Sequence, residues 1–244
     1  MTAQLRSELL KIRSTRTVLG LTLCLVAFVV FLVIVSVYAQ SKSSLFTSDQ
    51  QRDLLSVAGL AEPFAAIVGI LAVTAEFRHG TARPTFLAEP RRWHVIAAKA
   101  VAGLAAGLGL AVTVLVVAYV LMRLGFWTRG IDFVVEGDRV ARLALGIALA
   151  SALWGALGVG LGAIVRSQVG AIVGVLVWLF VAEQIVFGLV PSVGQWLPGH
   201  ASDALSGSTG DDLLSPVAGG FLFAAYAALV CVLGALATEK RDVG

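Results

Sequence analysis

The sequence predicts an all-α integral membrane protein, with six transmembrane helices in a single domain over residues 1–244. Two observations predict it. The 244 residues are 58 % apolar and only 14 % charged, with a mean hydropathy of +0.92, far from the balance of soluble globular domains. The charges also cluster, leaving four long stretches without Asp, Glu, Lys or Arg: Thr17 to Ser41, Ala100 to Met122, Leu143 to Val165 and Leu213 to Thr238. Each is long enough to cross a hydrocarbon core of about 30 Å at about 1.5 Å per residue.

Two further runs carry one acid each, Leu54 to Ala75 with Glu62 and Ser167 to Val190 with Glu183. Backbone groups in hydrocarbon must pair within their own segment, and no run shows the period-two alternation of a barrel, so helices are expected. The spans are placed at about residues 17–40, 54–75, 98–122, 143–165, 168–190 and 214–238. The first run could pass for a signal peptide ending at Val37-Tyr38-Ala39, but it is too long for the usual apolar core of one, and its sixteen-residue leader reads as helical. That leader places Leu5, Leu9 and Ile12 at helical spacing among Arg6, Glu8, Lys11, Arg13 and Arg16, the pattern of a basic amphipathic helix lying on an anionic membrane surface.

Orientation follows from the Lys and Arg residues on alternate sides of the spans. Arg6, Lys11, Arg13, Arg16, Arg78, Arg83, Arg91, Arg92, Lys99, Arg166, Lys240 and Arg241 share one side; Lys42, Arg52, Arg123, Arg129, Arg139 and Arg142 share the other, diluted by many acids. Both termini are therefore expected in the cytoplasm. Outside, Val190 to Leu205 carries Trp196 and Leu197 beside Pro198 and Gly199, which suggests a re-entrant segment between the fifth and sixth spans.

No phosphate loop, G-x-S-x-G elbow, H-E-x-x-H or C-x-x-C is present, and His79 and His94 lie across the membrane from His200, so no enzyme chemistry or metal site is expected. Cys24 and Cys231 both fall within spans and read as packing residues. Gly103 and Gly107, Gly158 and Gly162, and Gly170 and Gly174 mark close helix approach. Glu62 and Glu183 sit at similar depth in the outer half. An acid in hydrocarbon costs about 2.5–3.5 kcal/mol, so the two either line a translocation path for a polar or cationic substrate or are protonated or hydrogen-bonded to a neighbouring helix.

The densest charge cluster lies between the second and third spans. Glu76-Phe77-Arg78-His79-Gly80-Thr81, then Arg83-Pro84-Thr85, then Pro90-Arg91-Arg92 before the Lys99-bearing third span, resembles the permease subunits of the ABC-2 type transporter family. The six spans, the leading helix, the short connection around Arg166 and the external segment extend that resemblance over the whole chain.

The family implies a cytoplasmic coupling helix within the 76–92 loop, docked on a separate ATPase subunit present in two copies. Glu76, Arg78, His79, Gly80, Thr81 and Arg83 would be at that joint, and Arg91 and Arg92 could instead bind lipid phosphate. It further implies a second permease chain, identical or related, and a bacterial plasma membrane. ATP and Mg would belong to the partner, with no cofactor on this chain and no nucleic acid. In better-described branches the second and fifth spans line the path, and these are the spans that carry Glu62 and Glu183. The alternatives are an ATP-independent secondary transporter or channel, which Pro63 would suit if it broke the second helix, and a membrane scaffold or sensor.

Overall fold

A computed structural model describes residues 2–81, 92–208 and 213–240. The chain is all-helical, with no strand among the described residues, and six helices are long and apolar enough to cross a membrane. They are Arg16–Ala39, Ser48–Arg78, Trp93–Arg129, Gly137–Val165, Gln168–Leu189 and Pro216–Lys240, called here the first to sixth spans. One end of the bundle, here the terminal face, carries the helix Thr2–Ser14 and the end of the sixth span at Lys240. The other end is the distal face.

Several helices outrun their charge-free cores. The third continues to Arg129 and the fourth begins at Gly137, so the expected connection from Arg123 to Arg142 shrinks to the turn between them. A helix persists into the interface because its own backbone bonds hold it there, whatever the polarity of its side chains. The second span begins with the helix Ser48–Ser56, tightens to a 3-10 turn over Val57–Leu60 and continues as Ala61–Arg78. Pro63 does not break it: as the third residue of Ala61–Arg78, its missing N–H falls where the first turn needs none. Buried Gln51 ties this segment to the turn after the third span. Its Nε2 donates to the carbonyls of Leu45 (2.9 Å) and Asp132 (2.8 Å), and its Oε1 accepts from Val134 N at 2.9 Å.

The fourth span is the axis of the bundle, with the second, third and sixth packed around it, the first laid against the third and the fifth at the edge. Glycine lets this happen. A Cβ on Gly69 or Gly103 would strike the carbonyl of Gly155, one on Gly107 that of Ser151, and one on Gly158 that of Ala66. The second and third spans thus meet one glycine of the fourth from two sides, an approach that larger residues forbid. Of the three expected glycine pairs, Gly103 and Gly107 and Gly158 and Gly162 are buried in such contacts. Gly170 meets only its own turn, and Gly174 meets nothing.

Two further pieces position the sites. The leading helix, Thr2–Ser14, forms as expected but turns a different face inward: Glu8 is buried and Leu5 and Ile12 half-buried, while Leu9 and Leu10 are exposed. On the distal face the stretch between the fifth and sixth spans forms the helices Pro191–Gly194 and Pro198–Ser206. The longer one lies against the fourth and sixth spans, with Gly146 facing the Leu205 carbonyl and Gly219 facing that of Ala201. The coupling-helix expectation, with Arg83, Pro84, Thr85, Pro90 and Arg91, falls on residues 82–91, outside those described.

Gly155→Val should destabilise the chain by about 1–3 kcal/mol or abolish folding, because the Gly103 backbone of the third span must retreat. Gly174→Ala, with open space around it, should leave the melting temperature in detergent within about 1 °C.

Candidate functional sites at the two ends of the bundle

On the terminal face, four charges from three parts of the chain form one network among the described residues. Lys99, on the third span, is 1 % exposed, and its Nζ lies 2.7 Å from Glu8 Oε2 and 2.8 Å from Glu76 Oε1 while donating to the Ala72 carbonyl at 3.0 Å. Lys11 reaches the same two acids, at 2.8 Å each. Two ammonium groups and two carboxylates cancel, so the buried cluster is neutral and each charge is compensated. For Lys11, which lies outside the spans, burial pulls the pKa down but the bonds to Glu76 and Glu8 outweigh it, and the net shift is upward.

Glu76 is thereby held inside the protein. The residues after it face outward: Arg78, His79, Gly80 and Thr81 are exposed. Gly80, with φ of +68°, ends the helix in a Schellman turn, its N–H bonding the Phe77 carbonyl (3.4 Å) and the Thr81 N–H that of Glu76 (2.9 Å). Arg78 donates to Gln168 Oε1 at 3.4 Å, touching the start of the fifth span, and Arg166 stacks its guanidinium 4.9 Å above the Phe77 ring. Of the six expected coupling residues, Glu76 is therefore a structural tie, four form an exposed rim, and Arg83 lies outside the described residues.

On the distal face, Glu62 and Glu183 line one cavity of about 280 Å³ together with Asp203 of the helix Pro198–Ser206. Among the described residues that line it there is no Lys or Arg. Glu62 Oε2 accepts from Trp154 Nε1 (3.1 Å) and Ser202 Oγ (2.6 Å), two donors from different elements. Glu183 follows a π-turn at Trp178–Ala182, the kind of single-turn widening that recurs at functional sites. There it accepts from Trp178 Nε1 and, on Oε2, from Gly199 N at 2.8 Å. Gly199 is the second residue of Pro198–Ser206, so Glu183 supplies an acceptor to that helix's N-terminus. A Cβ on Gly199 would collide with this carboxylate.

Each acid is hydrogen-bonded to a neighbouring element, and both border one cavity. Sequence reasoning did not find Trp154, Ser202, Asp203 or the contact of His200. His200 stacks on Phe187 with ring centroids 4.1 Å apart, and its Nδ1 lies 3.5 Å from Glu183 Oε2. Burial lowers its pKa, so at pH 7 the ring is neutral and this is not an ion pair. Burial raises the Asp203 carboxyl to about 6. No group of three or more His, Cys, Asp or Glu among the described residues is placed to hold a metal ion.

Lys99→Met should cost about 3–5 kcal/mol, because Glu8 and Glu76 keep only the half-exposed Lys11; thermal unfolding in detergent would show it, together with faster proteolysis of the leading helix. Asp203 makes the distal site pH-sensitive. A carboxyl whose folded pKa is raised favours folding below its unfolded value near 3.8, and that contribution is lost as pH rises through about 6. Glu62, Glu183 and His200 face the same region. Asp203→Asn should therefore raise the melting temperature by about 2 °C or more at pH 7, with the gain shrinking toward zero near pH 4. A gain that is the same at both pH values would contradict this account.

Comparison with known proteins adds no relative: neither the protein-family models nor the curated proteins contain a match to this chain.

Proposed function

We propose that this chain is the membrane-spanning permease subunit of an ATP-binding cassette exporter of the ABC-2 type. In this reading it forms the translocation path and is driven by a separate ATPase through the 76–92 loop. The observation that carries the proposal is the joint at the end of the second span. A lever between a soluble motor and a membrane path must be stiff where it enters the lipid and exposed where it meets the motor. Lys99, Glu8 and Lys11 fix Glu76 to the third span and the leading helix, and the chain leaves this anchor through the Gly80 turn with Arg78, His79 and Thr81 on the surface. The sequence pattern Glu76 to Thr81 is the one that resembles the family, and positive-inside bias alone explains the arginines but not Glu76, Gly80 and Thr81 in that order.

In this mechanism ATP binding closes the partner dimer, the 76–92 loop moves with it, and the second span transmits the displacement to Glu62. The path itself is lined by Glu62 and Glu183 between two permease chains, and the acid-lined cavity favours a polar or cationic substrate. The terminal face is then cytoplasmic and the membrane is the bacterial plasma membrane. An ATP-independent transporter is the second reading, favoured by the buried acids Glu62 and Glu183 around one distal cavity.

Purification of the chain from its native host in mild detergent should bring down a phosphate-loop ATPase in equal amount. Arg78→Glu with His79→Glu should release that ATPase while leaving the permease folded, since both side chains are exposed. A chain that elutes without any ATPase would make the ATP-independent reading the leading one.

A further inference from the structure

A second cavity is larger than the acid-lined one. A groove of about 970 Å³ opens on the outer surface of the bundle between the fourth and sixth spans and the helix Pro198–Ser206. Its two ends differ in chemistry. At the distal end stand Arg52, Arg139 and Arg142, with Asp49 as the one acid among the described lining residues. Deeper, the walls are apolar, and Leu149, Leu153 and Phe221 represent them. Along the fourth span the groove runs from Arg142 to Leu153, about 16 Å at about 1.5 Å per residue, which is close to half of a hydrocarbon core of about 30 Å. The groove is as deep as one leaflet.

We propose that this groove is a binding site for one anionic phospholipid, its phosphate on Arg139 and Arg142 and its acyl chains along the apolar wall. Charge complementarity selects this occupant. The described lining residues sum to two net positive charges at the depth of the headgroups, and a guanidinium fork binds phosphate in two-pronged fashion. Arg52 is engaged with the Gly207 carbonyl and shapes the mouth.

The two other arginines hold replaceable partners. Arg142 pairs with Asp138 at 2.5 Å while 74 % exposed, and Arg139 is 3.4 Å from Glu136 and 3.8 Å from Asp49. Exposed pairs of this kind contribute little to stability, so a phosphate can take their place. A free phosphate would use the arginines and leave the apolar wall empty. A helix from a second copy of this chain would fill the wall and make no use of the guanidinium groups, which would keep their pairs with Asp138, Glu136 and Asp49.

Native mass spectrometry of the full chain in detergent, titrated with phosphatidylglycerol or with phosphatidylcholine of the same acyl chains, tests this. One phosphatidylglycerol per chain should be retained with about tenfold preference over phosphatidylcholine. Arg139→Gln with Arg142→Gln should remove the preference, and Arg139→Lys with Arg142→Lys should keep part of it. Leu149→Trp, which fills the wall from a half-exposed position, should reduce retention of both lipids. Equal retention of the two lipids by the unaltered chain would overturn the proposal, as would a preference that survives the double Gln change. So would inorganic phosphate at millimolar concentration displacing the lipid completely, or a dimer that forms as the lipid is lost and buries the groove.

Discussion

The buried ammonium of Lys99 is the constraint on which the terminal half of the protein depends. A cation removed from water costs several kcal/mol unless opposite charges and hydrogen bonds replace its solvent, and here Glu8, Glu76 and the Ala72 carbonyl do so within 3.0 Å. Glu8 belongs to a helix that precedes the first span, and Glu76 to the last turn of the second. Moving either away strands Lys99, so the leading helix, the second span and the third span are held as one body at this end. The Schellman turn at Gly80 then releases the chain from that body within a few residues.

The distal end solves the same problem differently. No cation lines the cavity among the described residues, and Glu62 and Glu183 are held by neutral donors: two indoles, a serine hydroxyl and a backbone N–H at a helix start. This arrangement requires the fourth span to bring Trp154 to the second, which it does because Gly155 and Gly158 let the backbones touch on either side of it. The second span carries both Glu62 and Glu76, about 21 Å apart along one helix at about 1.5 Å per residue. A rigid element therefore links a charge-locked end to an end locked by neutral hydrogen bonds.

Much of this was legible in the sequence because solvent leaves a strong imprint on it. Four of the six spans follow from charge-free length and two from apolar runs holding a single acid, and the pairs Gly103 with Gly107 and Gly158 with Gly162 follow from the close approach that only small residues allow. What was not legible depends on the third dimension. Leu5, Leu9 and Ile12 share a helical spacing, but so do Leu5, Glu8 and Ile12, and only the position of Lys99 on another helix selects the second set as the inward face. Trp154, Ser202 and Gly199 meet the two acids across long stretches of chain, and no local pattern announces such contacts. The π-turn before Glu183 likewise has no spacing signature in Trp178–Ala182.

The fifth span shows what these two kinds of lock imply for motion. It is the least buried of the six and lies at the edge of the bundle, so packing restrains it little. Its polar contacts with neighbouring elements include the exposed Arg78–Gln168 pair at its start and the bond from Gly199 of the helix Pro198–Ser206 to Glu183 near its finish. That second helix is itself wedged against the fourth and sixth spans through Gly146 and Gly219. Displacing the fifth span therefore disturbs few apolar contacts but must carry Glu183 relative to Gly199, altering the wall of the acid-lined cavity. Because its first turn touches Arg78 on the exposed rim, a push at the terminal face reaches that carboxylate through the fifth span's own backbone without rearranging the glycine-packed core.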